Sequence, residues 1–181
     1  MCIRDSCDLI PNILASVGKP DLSTSVFGKK IDMPIFLSPS AMQRLYNHEG
    51  DLASARAAEK FGTFYSMSTM ANNTIEEVAD ISDGPKLFQL YVHKDQSITD
   101  DLIERCKVSG FNGMCLTVDT LVAGNRERDH KTGFTTPPKL TIQSLMSFAM
   151  RPQWVFNYFT HKKFELSNVK NKTDKGTNIS K

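Results

Sequence analysis

The sequence predicts an α/β fold of parallel strands joined by crossover helices, and three observations predict it. Apolar, β-prone segments begin near 33, 63, 86 and 113, at spacings of 30, 23 and 27 residues. Segments with helical periodicity lie between them. Each strand also ends in a pair of polar residues two apart. Alternation of strand and helix at this pitch argues for parallel strands with crossover connections. Two architectures satisfy it, an open doubly wound sheet and part of a (β/α)8 TIM barrel. Neither a G-x-G-x-x-G fingerprint nor a G-x-x-x-x-G-K-[ST] loop occurs, which removes the most specific support for the open-sheet nucleotide folds.

The elements follow in order. Residues 33–38 (MPIFLS) read as a short buried strand. Residues 50–61 are Ala-rich with apolar positions at helical spacing, and Gly62 is a natural stop. Residues 63–67 are β-prone. Thr74-Ile75-Glu76-Glu77 forms a capping box that opens a helix to about Ile81. Residues 86–92 (KLFQLYV) are a strand rich in apolar and aromatic side chains. Residues 97–109 are a helix with Ile98, Leu102, Ile103 and Cys106 on one side, closed by Gly110. Residues 113–119 (GMCLTVD) are the fourth strand. Beyond it, 124–129 is a charged loop, Pro137-Pro138 breaks the chain, 140–150 looks helical and 154–159 (WVFNYF) is an aromatic patch. From about Ser167 the chain is polar and aperiodic, which predicts a mobile tail.

Composition narrows the classes. The chain has 181 residues, 40% hydrophobic and 23% charged, with a net charge of +2. That is ordinary globular composition, sufficient for one core. The near balance of charge argues against a nucleic-acid partner, although six lysines against Glu165 and Asp174 make residues 161–181 locally basic. Cys2, Cys7, Cys106 and Cys115 show no C-x-x-C spacing, and His48, His93, His130 and His161 lie far apart. Neither a disulfide scaffold nor a metal site is expected. The first residues lack the apolar core of a signal peptide, and no apolar run reaches 18 residues.

The strand-end polar residues carry the functional signal. Ser38 and Ser40, Ser66 and Ser68, Gln89 and Tyr91, and Thr117 and Asp119 are each two apart, so each pair shares one face of its strand. One such pair is no more than a solvent-facing strand end. Four in succession, at the end where α/β sheets build their sites, predict a polar ligand lying across them.

These residues carry a family resemblance. Asp21-Leu22-Ser23-Thr24, Pro39-Ser40-Ala41-Met42-Gln43, His48-Glu49-Gly50-Asp51, Phe88-Gln89-Leu90-Tyr91, Leu116-Thr117-Val118-Asp119-Thr120 and Asn125-Arg126-Glu127-Arg128-Asp129 stand in order and at matching spacing. Together, from about Cys7 to Val169, they resemble the FMN-dependent α-hydroxy-acid dehydrogenases and oxidases, the family of glycolate oxidase, cytochrome-type L-lactate dehydrogenase and mandelate dehydrogenase. The resemblance implies a (β/α)8 TIM barrel of which about the first four β/α units are present, as one partial domain over 7–181. Residues 1–6 do not fit the pattern and read as extraneous.

By resemblance, the cofactor is FMN. The backbone of Pro39, Ser40 and Ala41 would pass beside the flavin, and Ser68, Gln89 and Thr117 would bond its polar edge. Tyr91 and Arg126 would bind the substrate. The residue types suit these tasks. Hydroxyls and a carboxamide satisfy both donors and acceptors of a flavin's pyrimidine edge, and a guanidinium matches a carboxylate with charge-assisted bonds. Each has a plainer alternative. Ser68 and Thr117 would equally end their strands in solvent, Gln89 and Tyr91 would serve as polar core residues, and Arg126 would join a surface ion cluster with Glu127, Arg128 and Asp129. His48 and His93 read as structural.

The implied activity is oxidation of a small L-2-hydroxy acid to a 2-oxo acid, with quinone, cytochrome or oxygen as electron acceptor. The intact enzyme is expected to be a cytoplasmic homo-oligomer. Residues 140–160 fit either a membrane interface on the inner face or a cover over the active-site end. Where glycolate oxidase carries a tryptophan two residues after the flavin serine, this chain has Met70, and Ala123 is also small; both favour lactate or a larger acid. The family's catalytic histidine, its partner arginine, its flavin-contacting lysine and its phosphate loops have no matching motif here, and residues 1–181 alone are expected neither to turn over substrate nor to hold FMN tightly. Two other classes compete: another FMN barrel enzyme, such as a type 2 isopentenyl-diphosphate isomerase, and a non-catalytic half-barrel.

Overall fold

A computed structural model describes residues 10, 13–14, 18–119, 124–125, 127–132, 142–162 and 164–169. An antiparallel hairpin comes first, β1 (Thr24–Val26) and β2 (Lys29–Ile31), turning through Phe27 and Gly28. Then follow α1 (Asp51–Lys60), β3 (Tyr65–Ser68), α2 (Ile75–Ile81), β4 (Lys86–Tyr91), α3 (Gln96–Val108) and β5 (Gly113–Thr117). β3, β4 and β5 pair in parallel in sequence order. Three shorter helices complete the described chain, α4 (Glu127–Thr132), α5 (Ile142–Ala149) and α6 (Pro152–Thr160).

The strand expected at 33–38 is reduced to one bridge. Leu37 pairs with Tyr65, with Leu37 N donating to Phe64 O at 3.0 Å and Ser66 N donating to Leu37 O at 3.0 Å. Pro34 and Pro39 bracket this stretch and remove ladder donors, which accounts for its brevity. The segment nevertheless extends the sheet on the β3 side, so four parallel segments run in chain order. That is the start of a (β/α)8 barrel.

The helices form for local reasons. Thr74 closes its capping box as predicted: Glu77 N donates to Thr74 Oγ1 at 3.1 Å, and Thr74 N donates to Glu77 Oε2 at 3.2 Å. Asp95 caps α3 by accepting from Ser97 N at 3.0 Å. Gly62 ends α1 at φ +60°, and a Cβ there would lie 2.1 Å from Asp32 Oδ2, so only glycine fits. α1 is alanine-rich on the side that meets the sheet, which lets the helix approach closely.

Two cores divide along the strand pleat. Tyr65, Met67, Phe88 and Leu90 face the helices and pack with Ala55, Ala58, Val78, Ile98 and Leu102. Burying side chains of this size contributes about 1.5–3 kcal/mol each. On the opposite face, Phe64 and Leu87 pack with Ile31 and, at its edge, Val26. The hairpin thus covers the strand beginnings, an element the sequence reading did not anticipate.

Three further differences emerged. The charged loop at 124–129 runs into α4, and the aromatic patch is the body of α6. The mobile tail does not start at Ser167. Asn168 and Val169 are buried; Asn168 Oδ1 accepts from Ile75 N at 3.1 Å, its Nδ2 donates to Asn73 O at 3.0 Å, and Ser167 Oγ donates to Asn72 O at 2.6 Å. Side-chain amides here take up backbone groups at the start of α2, which composition alone does not reveal. Residues 170–181 lie outside the described residues.

Candidate active site

The pleat that sends Phe88 and Leu90 to the helices sends Gln89 to the other face, beside Ser68 and Thr117. Gln89 Nε2 donates to Thr117 Oγ1 at 2.6 Å, and Gln89 Oε1 accepts from Ser68 Oγ at 3.2 Å. One carboxamide therefore links the C-terminal ends of three adjacent strands. Thr69 N reaches the same Oε1 at 3.3 Å, and Met70 N donates to Ser68 Oγ at 3.1 Å. Ser68 and Gln89 are buried, while Thr117 and Tyr91 are half-buried. Tyr91 stands level with Thr117 in the ladder, and its backbone N–H donates to Thr69 Oγ1 at 3.1 Å.

Pro39, Ser40 and Ala41 are exposed and directly follow the bridge at Leu37. The next turn binds them to the loop after β3. Met42 N donates to Met70 O at 3.1 Å, and Arg44 N donates to Asn72 Oδ1 at 3.0 Å. Met42 sits at φ +56°, a left-handed conformation that costs a side-chain-bearing residue free energy and clusters at sites of function. Arg126 lies outside the described residues. The structure thus joins Ser68, Gln89 and Thr117 directly, places Tyr91 level with Thr117, and ties the 39–41 segment alongside.

Sequence reasoning noted Asp51 within a matching motif but gave no role to this carboxylate beneath the arrangement. Asp51, at the first turn of α1, is fully buried. Its Oδ1 accepts from Tyr65 Oη at 2.8 Å and from Gln43 Nε2 at 3.1 Å. Its Oδ2 accepts from the backbone of Asn72 at 3.1 Å and Asn73 at 3.3 Å. Burial raises the Asp51 carboxyl above its ordinary value despite these donors, and burial together with the Asp51 charge pushes the Tyr65 phenol far upward. Gln43 Nε2 also lies 3.4 Å from Ser40 O, and Ser54 Oγ donates to Gln43 Oε1 at 2.6 Å. Asp51 thereby braces both loops that flank the strand-end network. Its signal in the sequence is an acidic residue at a helix start two residues after Glu49, which reads as an ordinary dipole charge.

The donor set fits the polar edge of a flavin. Two hydroxyls and one carboxamide on adjacent strand ends are able to donate or accept as required, and small side chains at 40 and 41 leave backbone accessible. Among the described residues no group of three or more His, Cys, Asp or Glu side chains is placed to hold a metal. Of the thiols, Cys106 is buried and pushed up to about 12.

Strand order, strand-end polarity and the loop bracing together define a partial barrel whose ligand end is built from β/α loops. Comparison with known proteins carries this to a family. Residues 4–180 match the FMN-dependent dehydrogenase family model, and the chain belongs to that family. It is 45% identical over 134 residues to glycolate oxidase 1 of Oryza sativa subsp. indica, covering 74% of this chain and 36% of that protein. The glycolate oxidase of Spinacia oleracea is 43% identical over the same length. Among solved structures, a monotopic membrane (S)-mandelate dehydrogenase superposes with a TM-score of 0.80 at 33% identity, covering 87% of this chain and 42% of that one. A lactate oxidase of Pediococcus acidilactici superposes with a TM-score of 0.66 at 34% identity, covering 78% and 39%. The chain spans about a third of the length of the curated relatives it matches.

Proposed function

We propose that the protein carrying this chain oxidises a small L-2-hydroxy acid to the 2-oxo acid with FMN. The single observation that carries the reading is the Ser68–Gln89–Thr117 network at the C-terminal strand ends. In this reading Ser68, Gln89 and Thr117 bond the flavin edge, the backbone of Pro39, Ser40 and Ala41 lies beside the ring, and Tyr91 and Arg126 hold the substrate. Bound there, FMN would supply two-electron redox chemistry, with quinone, cytochrome or oxygen as the final acceptor. The protein's own groups orient the ring and the substrate carboxylate and exclude water from the strand ends.

The substrate we favour is lactate or a larger 2-hydroxy acid. Met70 follows Ser68 by two residues, and its flexible thioether leaves the pocket more adaptable than a tryptophan would. The test is anaerobic flavin bleaching in the full-length protein with L-lactate, L-mandelate and glycolate in parallel. Reduction by lactate or mandelate faster than by glycolate supports the reading. Faster reduction by glycolate overturns the substrate preference, and no reduction by any of the three overturns the activity.

Membrane contact is a second element of the proposal. α5 and α6 leave Ile142, Met146, Met150, Phe156 and Phe159 exposed, an apolar surface of the kind that enters a lipid interface. Among the described residues no helix is long and apolar enough to cross a membrane, so the proposed contact is peripheral, on the cytoplasmic face. Failure of the full-length protein to sediment with anionic vesicles at low salt overturns it.

A further inference from the structure

A cavity of about 510 Å³ lies between the turn at residues 44–48 and the helix pair α5–α6. It shares no lining residue with the strand-end network. Among the described residues its wall carries Arg44, His48, Arg151, His161 and Lys162, and no Asp or Glu. Lys162 is tied outward to Glu77. Among the described residues, the Nε of Arg44 and the Nδ1 of His48 have no hydrogen-bond partner. A wall that carries Arg44, Arg151 and Lys162 with no carboxylate among the described residues favours an anionic occupant.

The rest of the wall is built rather than accidental. Trp154 Nε1 donates to Leu45 O at 2.8 Å, pinning α6 to the turn that carries Arg44. Phe148, Trp154 and Tyr158 stack at centroid distances of 5.1 and 5.3 Å. The rings of His48 and His161 lie 4.0 Å apart across the two elements. Arg151 is the N-cap residue of α6 and Pro152 its first helical residue, so the positive end of a helix dipole adds to the side-chain charge.

We propose that this cavity is a binding site for a phosphoryl group, held by Arg44, His48 and Arg151. The cationic groups come from two separate elements. A tetrahedral anion with oxygens in several directions accepts from such a set, whereas a planar carboxylate matches a single guanidinium fork. The group belongs either to a phospholipid headgroup or to a soluble phosphate ester. Met150 and Tyr158 line the cavity and are also exposed, which places its mouth beside the apolar surface of α5 and α6.

The experiment uses the full-length protein and three probes: inorganic phosphate, sn-glycerol 3-phosphate, and vesicles of phosphatidylcholine with or without phosphatidylglycerol. Binding is followed by calorimetry for the soluble probes and by sedimentation for vesicles, with acetate at equal ionic strength as control. The expected result is saturable binding of at least one phosphoryl probe that weakens about tenfold or more in Arg44→Gln and in Arg151→Gln. Lys107→Gln, a distant exposed charge, leaves it unchanged. Binding of soluble esters that competes with vesicles, or of soluble esters alone, assigns the source as a free phosphate ester. Binding of phosphatidylglycerol vesicles alone, lost in the arginine variants, assigns the headgroup. Absence of all binding, equal binding of acetate, or binding unchanged in both arginine variants overturns the proposal. Because Arg151 is exposed and lies outside the core, its variant keeps the test valid if Arg44→Gln misfolds. None of these readouts depends on flavin or hydroxy-acid turnover.

Discussion

Gln89 Nε2 lies 2.6 Å from Thr117 Oγ1, so the side chains of β4 and β5 are joined at the C-terminal end of the sheet, the end where (β/α)8 barrels build their sites. The same carboxamide accepts from Ser68 Oγ on the other side. Its removal therefore affects three strands together. Gln89→Leu is expected to destabilise the fold by about 1–3 kcal/mol, because the buried Ser68 hydroxyl and the half-buried Thr117 hydroxyl lose their partner. It is also expected to weaken FMN retention by about tenfold or more. Denaturant midpoints and flavin release on dilution of the full-length protein check both. Stability and retention equal to wild type would show that the network is incidental.

The Asp51–Tyr65 pair supplies the second expectation. Asp51→Ala removes the acceptor of four donors and should cost about 3 kcal/mol. Tyr65→Phe removes one donor and should cost about 1–2 kcal/mol. The double variant should lose less than the sum, since the two share a bond. Urea unfolding of all three tests this, and strict additivity would place the hydroxyl and the carboxylate in separate roles.

Stability should respond to acid through Glu76. The Arg105 guanidinium bonds both its oxygens, at 2.6 and 2.7 Å, and holds its carboxyl at about 2, below the ordinary 4.5. A carboxyl depressed in the folded state stabilises above its unfolded pKa and loses that contribution as the pH falls through the folded value. The pair is half exposed, so its worth is below about 1 kcal/mol. Glu76→Gln should be less stable than wild type at pH 7 and indistinguishable from it near pH 2. A difference that persists unchanged near pH 2 would assign the effect to packing rather than charge.

Substrate choice should turn on Met70. Met70→Trp in the full-length protein is expected to shift the ratio of kcat/KM for lactate over glycolate toward glycolate by about tenfold, the scale that side-chain fit in a pocket provides. Steady-state kinetics with both acids decides it. An unchanged ratio would remove Met70 from the pocket.

Much of this architecture was legible in the residues, and for physical reasons. Hydrophobic periodicity locates the three helices between strands, because each must bury one face against the sheet. The Thr74 capping box and the Gly62 stop are local rules that tertiary packing does not override. Ser68, Gln89 and Thr117 were visible as polar residues in apolar strands. The role of Asp51 was not, because a charge at a helix start has an ordinary explanation and its four donors come from three separate segments. The β1–β2 hairpin was missed since Thr24 to Ile31 is short and half polar; its apolar signal is Val26 and Ile31 with Phe27, which lies edge-on to Phe64. Asn168 was hidden in a polar tail whose composition resembles linker.

The alternation within β4 has a consequence for how the protein tolerates change. Leu87, Gln89 and Tyr91 project to one face while Phe88 and Leu90 fill the helix-side core. Insertion or deletion of a single residue in this strand would swap the two sets, burying a carboxamide among aliphatic side chains and turning a phenyl ring toward the face where we propose the flavin to lie. The polar strand-end network and the core are thus written on one strand in a shared reading frame. Diversity within such a protein must arise by substitution in the strands and by length variation only in the loops.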